Sequence, residues 1–216
     1  MTIRTLMQRV ALIVPLLSAA SAAFAGEDPA ALLLDLQHKW ATANYQVPEK
    51  GREDALKALV PVAEDAVRQY PQSAPLLAWR GIILSTYAGA KGGLGALDLA
   101  KQALKSLEAA AKIDEKALGG GIDTSIGALY YKVPGWPLGF GDDDKAGEYL
   151  AKGLALNPTG IDENYFYADY LIEQDEKDKA KLYLQQALAA APRPARPDAD
   201  AGRRQDIAIA IARLAE

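Results

Sequence analysis

Four times along this chain, residues suited to close helix packing recur at fixed spacing. Ala180, Leu184 and Ala187 form one set; Ala146, Leu150 and Gly153 a second; Ala103, Leu107 and Ala110 a third; Leu59, Ala63 and Ala66 a looser fourth. The +4, +7 spacing puts each set on one face of a helix, and its small members let a second helix approach closely. Five residues after each set comes Pro192, Pro158 or Pro71, with Glu115 in the remaining slot. A proline just past a helix end cannot continue the helix. The chain is therefore built from helix pairs, and its units should stack in series.

Pro158 to Pro192 spans 34 residues (192 − 158), the period of the tetratricopeptide (TPR) repeat. Glu115 to Pro158 spans 43 and Pro71 to Glu115 spans 44, so those units carry nine and ten extra residues. Leu77 and Gly81, then Ile126, Gly127 and Tyr130, then Tyr167, Ala168 and Leu171 mark the first helices. Each set offers a small residue where the helices cross. The expectation is an all-α, TPR-like helical-repeat solenoid of about four helix pairs over residues 26–191. A non-repetitive bundle of Ala-rich helices is the competing arrangement. Pro61 falls inside the first unit's second helix, where a kink or break is expected. Residues 192–198 read as a Pro-rich linker. Residues 199–216 read as a capping helix, with Ile207, Ile211 and Leu214 on one face covering the solenoid's last apolar surface.

Residues 1–25 look like an export signal. Arg4 and Arg9 precede a short apolar run from Val10 to Leu17, and small residues end in Ala23-Phe24-Ala25. Cleavage after Ala25 would leave a periplasmic protein. The full chain has 24 basic and 28 acidic residues; losing two arginines leaves 22 against 28, a net charge of −6. Such a charge repels phosphate backbones, so nucleic acid is not the expected partner. Met1 and Met7 leave with the signal and the chain has no Cys, so thiol chemistry, disulfides and a lipidated cysteine are excluded. No later segment is long and apolar enough to span a membrane.

Two insertions interrupt the repeat. Residues 88–96 carry glycines around Lys91, but no Ser or Thr follows the lysine and no strand precedes it, so a tight connection at positive φ is expected rather than a phosphate loop. Residues 132–142 are rich in Pro and Gly and present Trp136 and Phe140, either as binding anchors or as plugs in a groove. Tyr130, Tyr131, Tyr165, Phe166, Tyr167 and Tyr170 gather on first helices, the helices that line the concave face of a TPR solenoid. Adjacent helical residues point about 100° apart, so at least one of Tyr165, Phe166 and Tyr167 should face the groove or solvent. Tyr130, Tyr131, Trp136, Phe140, Tyr165 and Tyr167 are the candidate binding residues.

Catalytic chemistry has little to stand on. His38 is the single histidine, too few for a His-based metal cluster or a triad. Asp142, Asp143 and Asp144 lack the alternating ligand spacing of a calcium loop and read as a helix cap. Asp162 with Glu163, and Asp175 with Glu176, sit where helices begin or turns occur and read as solvated charge. No cofactor, metal site or enzyme activity is expected.

Lys91-Gly92-Gly93-Leu94-Gly95-Ala96-Leu97, the stretch from Leu129 to Ala146 with Val133-Pro134-Gly135-Trp136-Pro137, and Gly160-Ile161-Asp162-Glu163-Asn164-Tyr165-Phe166-Tyr167 resemble a family of exported bacterial TPR proteins. That family is similar in turn to the TPR component associated with periplasmic TRAP transporters. The resemblance spans roughly Pro71 to Ala201. Two uses follow. One is a scaffold whose groove receives a peptide or helix from an envelope protein. The other is a small-molecule-binding or accessory component of a TRAP-type transport system, with the 132–142 insertion closing a pocket. A buried Trp136 lining an enclosed cavity favours the second; an exposed Trp136 beside an open groove favours the first.

Overall fold

The computed structural model describes residues 28–214, and the expected export signal lies outside the described residues. Helices follow one another along the chain: α1 (Pro29–Ala41), α2 (Glu49–Gln69), α3 (Ala74–Lys91), α4 (Leu94–Asp114), α5 (Gly121–Lys132), α6 (Asp143–Leu156), α7 (Ile161–Glu173), α8 (Lys177–Ala189) and α9 (Pro197–Arg213). A π-helical turn, Thr42–Gln46, extends α1. The helix starts follow local chemistry. Asp28 caps α1 by accepting from the Ala30 N–H at 3.0 Å, and Asp142 caps α6 by accepting from Lys145 N–H at 3.1 Å. Pro29 and Pro197 open α1 and α9, where a missing N–H costs nothing.

The fold is an all-α, TPR-like solenoid. Helix α3 pairs with α4, α5 with α6, and α7 with α8, while α2 lies against α3. Every small or bulky residue of the four repeat sets is buried, with Ala63, Ala103, Leu107, Ala110, Ala146, Ala180, Leu184 and Ala187 fully so. The glycines at the crossings are required by distance. A Cβ on Gly81 would stand 2.7 Å from Leu107 Cγ, and one on Gly127 would stand 2.7 Å from Leu150 Cγ. The same bulky repeat residue thus seats on the same small position in successive pairs.

Two sequence expectations change. Helix α2 runs unbroken through Pro61. Pro61 and Lys57, whose carbonyl the missing N–H would have served, are both on the exposed side, so water can solvate that carbonyl. Leu56, Leu59, Ala63 and Ala66 hold the buried face in place. The extra length around residues 88–96 is mostly helix. It prolongs α3 to 18 residues and α4 to 21, against 13 each in α7 and α8. Only Gly92 and Gly93 stand between α3 and α4, at φ +62° and +64°, the positive φ that the sequence pattern anticipates.

Helix α9 does more than cap. Ile207, Ile211 and Leu214 pack onto the α7–α8 core. Its opposite end returns to the start of the chain: Ala199 joins the core of α1, α2 and α3, and Gly202 lies directly on the ring of Tyr45 in the π-helical turn. Tyr45 Oη donates to Asp206 at 3.2 Å. The C-terminal helix therefore bridges the first and last repeats across the concave side.

Candidate functional site

First helices present one stripe each to the concave face, at the i, i+3/i+4, i+7 spacing of a helix. Trp79, Ile82, Thr86 and Gly89 come from α3; Thr124, Ser125, Ala128, Leu129 and Lys132 from α5; Asp162, Glu163 and Phe166 from α7. Trp40 closes one end, and Arg193, Arg196 and Arg203 close the side on which α9 crosses. Together they bound a cavity of about 790 Å³.

The apolar wall is ordered by aromatic contacts. Trp40 and Trp79 meet edge to face at 5.6 Å. Trp40 Nε1 donates to Thr86 Oγ1 at 2.9 Å, and that hydroxyl donates to the Ile82 carbonyl at 2.8 Å. Ser85 and Ser125 likewise donate to the carbonyls of Ile82 and Gly121 one turn back. The hydroxyl protons of Ser85, Thr86 and Ser125 are thus committed to the backbone, while the buried Thr124 hydroxyl has no partner. His38 lies in the last turn of α1, outside the cavity lining. Among the described residues there is no cluster of three or more potential metal ligands. No described helix is long and apolar enough to cross a membrane.

The charged rim is a network. Asp162 accepts from Arg193 Nη1 at 2.6 Å and from Arg203 Nε at 2.8 Å. Burial opposes its charge, but the two guanidiniums outweigh burial and hold its carboxyl well below the usual carboxylate range. Arg193 also bonds Asp200 through Nε at 2.6 Å, and Arg203 bonds Asp206 at 3.0 Å. Arg203 lies over Tyr165 at 4.3 Å and Phe166 at 4.7 Å. Next to Asp162, Glu163 is 5% exposed, and burial together with the Asp162 charge pushes its carboxyl up to about 7. Asn157 is its side-chain partner, with Nδ2 donating to Oε2 at 3.1 Å. The expectation that Asp162 and Glu163 are solvated charge is therefore corrected. The turn after α6 and the return of α9 cover them, and neither event is visible in local spacing.

The candidate binding residues lie around this cavity rather than in it. Trp136 is 90% exposed, and with Leu138 it stands on the surface of the 132–142 insertion. Phe140 folds back edge to face on Tyr130 at 5.8 Å, and Tyr130 stacks on Tyr149 at 5.7 Å. Tyr131 Oη donates to Asp169 at 2.7 Å, and its phenol is pushed far up, first by burial and then by that carboxylate. Tyr165 is wedged between Phe166 and Arg203, and burial raises its phenol to about 12. Tyr167 packs on Tyr183 at 4.7 Å. Of the run Tyr165-Phe166-Tyr167, Phe166 is the residue that lines the cavity. Trp40, Trp79, Arg193, Arg196 and Arg203 are absent from the candidates that the sequence suggests. The available signal is three arginines within eleven positions, beside prolines, in an acidic chain.

No protein-family model matches the chain, and no curated protein matches it. Among solved structures it is similar to TTC0263, a thermophilic TPR protein of Thermus thermophilus, at 17% identity and TM-score 0.43 over 84% of this chain and 98% of that one. Yeast Tom70 matches at 16% identity and TM-score 0.47 over 74% of this chain and 31% of its own. Pseudomonas aeruginosa PilF matches at 15% identity and TM-score 0.35 over 84% and 93%.

Proposed function

We propose that this chain is a non-enzymatic binding protein of the bacterial periplasm that holds a small ligand in its concave cavity. The observation that carries the reading is the path of α9. By bridging the first and last repeats it turns an open groove into a bounded space of about 790 Å³, within the range of small-molecule sites, roughly 300–1,000 Å³. A peptide or helix lying along the groove would meet α9. An accessory role in a TRAP-type transport system fits a carrier of this kind.

Native mass spectrometry on the mature protein, purified gently from the envelope fraction, tests it. Gly89→Phe supplies the control, because a side chain there meets nothing within 4 Å and would project into the cavity mouth. A small co-purifying mass in the wild type and none in Gly89→Phe is the expected result. A ligand-free wild type, or an adduct that Gly89→Phe leaves in place, removes the cavity as the site.

A second reading, protein-protein assembly in the envelope, has its own observation. Trp136 and Leu138 are 90% and 71% exposed on an insertion pinned by Gly141 N–H to Pro134 O at 3.0 Å and Asp142 N–H to Tyr130 O at 2.9 Å. A large apolar residue held out on a fixed loop suits an anchor for a partner protein. The exposure of Trp136 matches the scaffold expectation, and its distance from the cavity lining lets both uses coexist. Loss of a cross-linked envelope partner in Trp136→Ala, with unchanged melting, is the outcome this second reading requires.

A further inference from the structure

Four cations line the cavity, Lys132, Arg193, Arg196 and Arg203, and they differ in how directly they are partnered. Asp162, the carboxylate between the arginines, is used by both Arg193 and Arg203. Arg203 has a second acid in Asp206, and Arg193 has one in Asp200. Lys132, at the other end, is engaged by Asp169 at 2.8 Å and Glu173 at 3.2 Å. Arg196 differs. Its guanidinium lies 5.0 Å over the Trp79 ring, and no described carboxylate comes within ion-pair distance of it. Asp162 and Asp200 act on it only at longer range. Its Nε is buried with no acceptor, and so is Nη2 of Arg193, the neighbouring cation. Both arginines line the cavity.

A guanidinium stays charged under all ordinary conditions, and burying one without an acceptor is costly. Arg196, a lining cation with no ion pair and with Nε lacking an acceptor, therefore marks an anion position. Its capacity is about one charge, since Arg193 is already matched by Asp162 and Asp200. The neighbouring acid does not oppose an anion strongly, because Glu163 is largely protonated below about 7. Beside the hydroxyls of Ser85, Thr86, Thr124 and Ser125, the wall carries the apolar side chains of Trp40, Trp79, Ile82, Leu118, Leu129 and Phe166.

We infer that the cavity takes a small monocarboxylic acid with an apolar body, its carboxylate docked on the Arg196 guanidinium and its body against the two tryptophans. The inference rests on the cavity being the binding site. A carboxylate at the end of a partner's chain shares the head-group chemistry. The α9 crossing favours the free small acid, because a chain end would have to thread past it.

The test uses the mature protein carrying Trp136→Phe, so that Trp40 and Trp79 are the only tryptophans and report from the cavity wall. Decanoate, decanol and decyltrimethylammonium are titrated by fluorescence at pH 6.5. A charge-assisted hydrogen-bond pair predicts that decanoate binds about tenfold or more tighter than decanol, and that the ammonium binds weakest. Arg196→Met keeps the bulk over Trp79 and should bring decanoate to the decanol affinity while leaving decanol within about twofold. Equal binding of decanoate and decanol in the unsubstituted cavity overturns the carboxylate assignment without needing the variant to fold. If that equal binding is also lost in Gly89→Phe, the cavity reading survives alone. No binding by any probe removes both. An apolar octapeptide with a free C-terminus binding more tightly than decanoate overturns the small-acid assignment.

Discussion

Replacing Glu163 with glutamine should make the protein more stable at pH 8 and leave it unchanged at pH 5. Glu163 is 5% exposed, and burial, then the Asp162 charge, lift its carboxyl from 4.5 to about 7. Between those values the folded state holds a proton that the unfolded state has released, so stability falls as pH rises through the window and stays low above it. At about 1.4 kcal/mol per pKa unit, the full penalty on the folded state is roughly 3 kcal/mol. Glutamine is close in shape to the protonated acid and still offers Asn157 an acceptor, so it carries no such penalty. Urea unfolding followed by far-ultraviolet circular dichroism at pH 5 and pH 8 reads the difference. The wild type should lose stability across this interval, while Glu163→Gln should lose about 2–3 kcal/mol less. A smaller fall will remain from Asp123, whose carboxyl burial pushes up to about 6. A variant less stable than the wild type at pH 8 would mean that the Glu163 carboxylate is satisfied in the folded state, and the reasoning would be refuted.

Arg203→Met strips the cation that joins Asp162 to Asp206 beneath α9. Leaving two half-buried acids each short of one partner should cost about 1–3 kcal/mol and make the segment around α9 the first site of limited proteolysis. Gly127→Ala puts a methyl 2.7 Å from Leu150 Cγ and 3.0 Å from its backbone nitrogen. The overpacking, about 1–3 kcal/mol, should exceed the gain in helix propensity of up to about 1, and thermal melting should shift down. Gly89→Ala meets nothing within 4 Å and should melt at the same temperature or higher. Trp136→Ala should change stability by less than about 0.5 kcal/mol, since the side chain is 90% exposed. A large loss there would show that the loop is packing rather than an anchor.

Much of the fold is legible from spacing because helix pairing is a short-range matter. Ala103 and Leu107 meet Gly81 from only 22 and 26 residues away, and a helix's buried face is set by its own 3.6-residue period. The same locality fixes the Asp142 cap and the positive-φ pair Gly92-Gly93. That Pro61 does not break α2 is not legible from sequence, because its effect depends on which side of α2 faces water, and that is decided by α1 and α3. The aromatic binding candidates stand out in the sequence for their size, but size does not tell a groove from a helix-helix interface. Tyr130, Phe140 and Tyr149 form such an interface, while Phe166, between two of the candidate tyrosines, reaches the cavity.

By itself, then, the sequence determined which segments are helical, which faces they bury and in what order the pairs stack, since each depends on residues a few turns apart. The tertiary structure alone decided that the solenoid closes. Ala199, Gly202 and Asp206 of α9 meet Trp40 and Tyr45 some 160 residues away, and no periodicity encodes a contact at that separation. Closure is what buries Glu163, brings Asp162 between two arginines and sets Arg196 over Trp79 with its Nε buried and without an acceptor. A charge acquires its meaning from the water it has lost, and that depends on the whole path of the chain.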